Sequence, residues 1–267
     1  MARPLEYWAA TQPWRSRDLR ALQGGVKVHP GDGNQNFCMR LSRKIEKLTT
    51  GEAWSSAVDA YYRLSRSLTV PQLLKGLDQS EFQRLRVKYG VEGETKAWQK
   101  YVDEKRWLRL AIEQAQELHL DRRRPSRILD LGSGAGYFLY VCRRLGHDGF
   151  GLDLDWPALY FETFKLLGLR RVIWHIDPYV PLPALPARFD LVTAFAICFN
   201  AHETDHVWGP KEWQFFLDDL EKNVLKPGGE VFLSLNPEPY GHYTPELRDF
   251  FLQHGARIDR QKIWLKF

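Results

Sequence analysis

The spacing of apolar positions changes character near residue 121. From about residue 37 to 120 they recur every three or four residues between breaks at Thr49-Thr50-Gly51, Val70-Pro71 and Gly90-Val91-Glu92-Gly93, a pattern that predicts helices. The last of these, over about residues 95 to 118, places Tyr101, Leu108, Ile112, Ala115 and Leu118 along one apolar stripe. The charged, proline-bearing segment Asp121 to Ser126 then reads as a connector. After it, apolar runs at 127–131, 149–154, 171–176, 189–195 and 230–235 alternate with helical segments at 136–145, 157–167, 211–223 and 245–254. That alternation predicts an α/β fold, a doubly wound, mostly parallel sheet with helices on both faces, behind a mainly helical N-terminal region. The expected division is 1–120 for the helical region and 121–267 for the sheet domain. Residues 22 to 36, dense in Gly, Asn and Pro, read as a loop, and no repeat period is evident.

Charge modifies this picture in one respect. The chain has 267 residues and a formal net charge of +5, but residues 1 to 120 hold 20 Lys and Arg against 14 Asp and Glu, and the remainder 18 against 19. The resulting +6 and −1 leave two readings of the N-terminal region, a solvated basic surface or an attraction for an anionic partner. No apolar run approaches the roughly 18 residues of a membrane span, and the N-terminus lacks a signal-peptide pattern. The expectation is a soluble, cytoplasmic protein. Cys38, Cys142 and Cys198 are too scattered for a zinc site or a disulfide framework and are expected to be reduced and structural.

The chemistry concentrates where the sheet begins. Ile128-Leu129-Asp130-Leu131 is a buried-strand sequence, and Gly132-Ser133-Gly134-Ala135-Gly136 follows at once, ahead of a helix that opens near Tyr137. Glycines permit a tight turn and close backbone approach, and a helix N-terminus offers unpaired N–H groups to a ligand. Glycines alone do not choose the ligand. Asp130, inside the end of an apolar strand, needs a donor, which a ligand ammonium can supply. Asp153 ends the next run, 21 residues after Gly132, where an acid can accept from both ribose hydroxyls. Asp177 closes the third run, so three successive strands are expected to end in a carboxylate on one edge of the sheet, with Leu154 beside the second.

Over roughly residues 125 to 267 these features, in this order, resemble the class I S-adenosylmethionine-dependent methyltransferase family. Asp130 to Gly136 is similar to its first motif. The resemblance implies S-adenosylmethionine as cofactor, held by Asp130, Gly132, Ser133, Gly134, Gly136, Tyr137, Asp153, Leu154 and Asp177, with Asp153 on the ribose and Asp177 at the adenine amino group. Phe189-Asp190-Leu191-Val192-Thr193-Ala194 is similar to the family's fourth strand and Leu225-Lys226-Pro227-Gly228-Gly229 to the turn before its fifth. Tyr101 stands where many members cover the methionine end, although packing against the sheet is an equal reading for it and for Trp107. The family's sheet closes with a reversed hairpin, and the residues after Gly255 suffice for two short strands or for one.

A nicotinamide dehydrogenase would share the acid at Asp153, but its Gly-x-Gly-x-x-Gly loop requires glycine where Tyr137 stands, and Asp130 would repel phosphates. A nucleic-acid methyltransferase is encouraged by the basic N-terminal region and by Asn236-Pro237-Glu238-Pro239-Tyr240. That segment follows the fifth apolar run rather than the fourth, and reads as a proline-stiffened loop. A non-catalytic binding protein is the remaining alternative. For transfer to a small-molecule or glycan-type acceptor, on oxygen or nitrogen, the loop after the fourth run carries the candidates. His202 is the expected general base, with His206 in reserve and Asn200 to orient the acceptor. Glu203, Asp205 and His206 lack a metal-ligand spacing, so no metal is expected. Trp208 could face the acceptor or belong to the core.

Overall fold

A computed structural model describes residues 68–90, 99–196, 208–236 and 241–267. The helices that precede the sheet are α1 (Val70–Lys75), α2 (Gln79–Gly90), a 3-10 turn (Gln99–Val102) and α3 (Glu104–Glu117). The sheet region follows as β1 (Arg127–Leu131), α4 (Tyr137–Arg144), β2 (Asp148–Asp153), α5 (Ala158–Leu166), β3 (Arg170–Ile173), β4 (Phe189–Phe195), α6 (Pro210–Asp219), β5 (Leu225–Ser234), α7 (Pro245–Gln253), β6 (Arg257–Asp259) and β7 (Lys262–Lys266).

These strands form one seven-stranded sheet in the order β3-β2-β1-β4-β5-β7-β6. β1 pairs in parallel with β2 and β4, β2 with β3, and β4 with β5. β7 runs antiparallel to β5 and to β6, so the terminal segment forms two strands. The α/β class and the mostly parallel sheet read from the apolar pattern are therefore observed. Apolar side chains cover both faces. One layer packs Trp213, Phe216 and Phe251 against Leu129, Val192 and Val231, and the other packs Leu108, Tyr137, Tyr140 and Phe164 against Ile128, Leu191 and Phe232. The helices before the sheet join this second layer through Leu73, Phe82, Leu108 and Ala115.

Three local expectations are corrected. The long helix expected over 95–118 begins at Glu104, because Asp103 caps α3 by accepting from Arg106 N at 3.1 Å. Tyr101 therefore sits on the preceding 3-10 turn. β3 ends at Ile173, so Asp177 lies four residues past the strand rather than at its end. Leu225 to Gly229 is not outside the fifth strand: the ladder begins with Phe189 opposite Leu225, shifts register, and resumes with Leu191 opposite Glu230. The extra residues form a bulge in which Lys226 reaches both carboxylate oxygens of Asp190, at 2.7 and 2.8 Å. Asp190 also accepts from Arg127 N, so it ties the lower ends of β1, β4 and β5 together, the structural role its position at a strand start suggests.

Candidate functional site: a glycine loop between two acids

Parallel strands β1, β2 and β4 bring their carboxyl ends to one edge, the edge at which ligands bind in open α/β sheets. The loop between β1 and α4 is pinned there by Gly132 N and Ser133 N, both donating to Leu152 O of β2. Gly136 has φ +82°, and a Cβ on it would fall 2.7 Å from the Phe164 ring and 2.8 Å from Leu169, so close packing against α5 excludes any side chain. Gly134, at φ +54°, is different. Its nearest neighbour would be the Tyr160 ring at 3.8 Å, and what requires glycine there is the backbone conformation. That conformation turns Gly134 N–H onto Asp153 Oδ2. Leu154 N donates to the other oxygen at 2.7 Å. Burial pushes the Asp153 carboxyl above its ordinary value, while the N–H groups of Gly134 and Leu154 and the charge of Arg171 oppose the shift.

Asp130 lies deeper, 3% exposed, opposite Gly151 of β2 and Thr193 of β4. Thr193 Oγ1 donates to its Oδ1 at 2.7 Å. Burial raises this carboxyl to about 8; the Thr193 hydroxyl opposes the rise and the nearby Asp153 adds to it. Ser133 Oγ is buried and has no hydrogen-bond partner among the described residues. It stands over Gly151, where a Cβ would come within 2.6 Å of it, so Gly151 lets the loop settle onto β2.

An aromatic wall adjoins the loop. Tyr137, at the start of α4, donates from its hydroxyl to Tyr101 O at 3.0 Å. Burial pushes the Tyr137 phenol upward, so it stays protonated. The Tyr101 ring stacks on Trp107 at 4.6 Å and meets the Tyr160 ring edge-on at 5.1 Å. Tyr160 itself lies against Gly134 and is held protonated by burial, then by Tyr101 and Asp153. The turn bearing Tyr101 is thus fixed beside the glycine loop, and Lys100 Nζ stands over the same ring, 5.0 Å from its centre.

Of the residues singled out in the sequence, Tyr101, Asp130, Gly132, Ser133, Gly134, Gly136, Tyr137 and Asp153 are thus brought together. Leu154 follows Asp153 at the surface of the same edge, and Asp177 is exposed and bonded to His175 at 2.8 Å. His202, with Asn200, Glu203, Asp205 and His206, lies outside the described residues, as do Cys38 and Cys198. Trp208 is buried against Trp213 and Phe216, which places it in the core rather than on an acceptor surface. Two members of the site were missed. Thr193 carried a signal, a polar residue in the apolar run of β4, whereas Tyr160 reads in sequence as one more helical aromatic. Among the described residues no group of three or more His, Cys, Asp and Glu side chains could hold a metal ion, and no helix is long and apolar enough to cross a membrane.

No protein-family model matches the chain. A stretch of 125 residues is 32% identical to a tRNA U34 carboxymethyltransferase of Azotobacter vinelandii, covering 43% of this chain and 34% of that protein. The matched stretch thus spans about a third of the curated relative's length. Among solved structures, the 1,6-didemethyltoxoflavin-N1-methyltransferase of Burkholderia thailandensis, with bound 1,6-didemethyltoxoflavin and S-adenosylhomocysteine, aligns at 16% identity with a TM-score of 0.43, over 71% of this chain and 90% of that one. An amino pentose methyltransferase from Micromonospora echinaspora aligns at 25% identity with a TM-score of 0.40, over 57% and 62%. Likeness at this level leaves the fold to be decided by the chain's own topology. With five parallel strands, a closing antiparallel hairpin and the glycine loop after β1, the chain has the class I S-adenosylmethionine-dependent methyltransferase fold.

Proposed function

We propose that the protein is an S-adenosylmethionine-dependent methyltransferase acting on a small-molecule or glycan-type acceptor, at oxygen or nitrogen. The observation that carries this reading is the pair of acids, buried Asp130 and half-buried Asp153, on either side of a loop whose glycines are held left-handed. Two acids facing a common site suit a cationic ligand and oppose a pyrophosphate. The unpartnered Ser133 hydroxyl adds an unused donor and acceptor at the same place. These residues fit S-adenosylmethionine, whose sulfonium, when bound, supplies an electrophilic methyl group.

In this reading Asp130 faces the ammonium of the methionine end and Asp153 exchanges its backbone donors for the two ribose hydroxyls. Gly132 to Gly136 leave room for the ligand chain, and Leu154 and Asp177 flank the adenine. Tyr101, fixed by Tyr137, covers the methionine end and excludes water, so that positioning supplies most of the rate enhancement. His202, which follows β4 in the sequence, takes the proton of a hydroxyl acceptor. An RNA acceptor is the second reading, favoured by the short match to a tRNA-modifying enzyme.

Calorimetry with S-adenosylhomocysteine tests the cofactor assignment. Binding is expected, and Asp153→Ala is expected to weaken it by at least about 1.5 kcal/mol, the lower end for hydrogen bonds to a charged group. No heat at millimolar ligand, or an unchanged affinity in a folded variant, rejects the respective assignment. Transfer of label from the cofactor into fractions of small molecules or RNA then separates the two acceptor readings.

A further inference from the structure

The surroundings of Asp130 raise the question of which proton state the ligand meets. Its carboxyl is enclosed by three strands and a helix. From β2 it faces Asp153; from β4, Thr193; and from α4, Cys142, whose thiol is kept protonated by burial and, whenever Asp130 is ionised, by its charge. Among the described residues, no lysine, arginine or histidine supports its ionised form.

Thr193 is placed to serve both proton states. Its Oγ1 lies 2.7 Å from Asp130 Oδ1 and 3.4 Å from Leu129 O. When Asp130 is ionised, the threonine proton points to the carboxylate. When Asp130 is protonated, the acid can donate to Oγ1 and the threonine proton can turn to Leu129 O. Either state leaves the hydroxyl satisfied, so the change needs no movement of the strands.

We propose that recognition of the ligand's amino-acid end is proton-coupled through Asp130, which holds a proton at neutral pH and releases it to solvent as a ligand ammonium docks. The preference of the site for ammonium-bearing adenosyl ligands over truncated thioethers then strengthens as pH rises. This rests on the adenosyl reading above. The ammonium is the cation that the enclosure lacks, and its arrival lowers the carboxyl from about 8 into the ionised range.

The test is calorimetry with two probes, S-adenosylhomocysteine and 5′-methylthioadenosine, which keeps the adenosine and thioether but lacks the amino-acid end. Each is titrated in phosphate and in Tris at pH 7, so that the buffer dependence of the heat counts protons. S-adenosylhomocysteine is expected to release about 0.9 proton, the fraction bound one unit below a pKa of about 8. Its affinity should rise close to tenfold per unit between pH 6 and 7, while that of methylthioadenosine stays flat. In Asp130→Asn the release and the pH dependence should both vanish.

Binding of S-adenosylhomocysteine with equal heats in the two buffers overturns proton coupling and leaves the cofactor reading standing. Release that survives in Asp130→Asn but disappears in Asp153→Asn gives the proton to Asp153 and overturns it likewise. If neither probe binds, the adenosyl reading fails first. Thr193→Val covers a poorly folding Asp130→Asn: losing the hydroxyl that favours the carboxylate should move the midpoint of the pH dependence upward, and an unmoved midpoint contradicts the proposal.

Discussion

At the scale of single residues, the site is built from side chains that the fold places against their ordinary preferences. Asp130 is a carboxyl inside a parallel sheet, and Gly134, Gly136 and Gly151 stand where a methyl group would strain the backbone or strike a neighbour. Such choices weaken a strand or a loop taken alone, which is why they mark function when they occur together. His202 belongs to this scale as well, because its assignment rests on its type and its place after β4. Replacing it by alanine is expected to lower turnover at least tenfold while leaving S-adenosylhomocysteine affinity within a factor of about two, in the range of general-base contributions. Undiminished turnover in the variant would remove it as the base.

Among elements, the contact between the helices before the sheet and the sheet domain matters most. Arg84, Lys88 and Tyr89 of α2 converge on the Glu162 carboxylate of α5, which these donors hold ionised below its ordinary range against a desolvation that opposes them. Tyr140 of α4 reaches back to Leu73 O in α1 at 3.1 Å. α5 thereby carries Tyr160 on the side of the glycine loop and Glu162 on the side of α2. Because the ion pairs are partly exposed, Glu162→Gln is expected to cost only about 1 kcal/mol. Its signature should be local. Hydrogen exchange should quicken in residues 79–90, with protection in β1 and β2 unchanged, and uniform loosening of both regions would show that Glu162 does not tie α2 down.

For the molecule as a whole, the two raised carboxyls set a direction for stability against pH. The folded value of Asp130, about 8, lies above the ordinary carboxyl value of 3.8, so the folded chain binds the proton more tightly. The stability linked to that proton is fully present below about pH 4 and is lost as pH rises to about 8. Asp153 is raised as well and adds to the same trend. Without ligand, the melting temperature of the wild type is therefore expected to fall between pH 5 and 8 relative to that of Asp130→Asn, and parallel profiles would show that Asp130 is not the source. A ligand ammonium should flatten the wild-type profile by stabilising the ionised acid.

The sequence by itself determined the class of fold, the position of the glycine loop and the acids at 130 and 153, because apolar period, glycine spacing and strand-end charge are local signals. β1 and β4 lie where their apolar runs predict, and the terminal residues sufficed for the hairpin that they form. Other features depended on partners distant in the chain. β3 stops at Ile173 although the apolar run continues, since pairing with β2 ends at Asp153. Tyr101 leaves the helix because Asp103 caps it, and Thr193 becomes part of the site because β4 lies beside β1 with those two positions in register. Tertiary structure alone decided the surroundings of Asp130: the same aspartate exposed on a strand would keep an ordinary carboxyl value, whereas burial in the sheet, with Asp153 as the neighbouring charge, raises it to about 8.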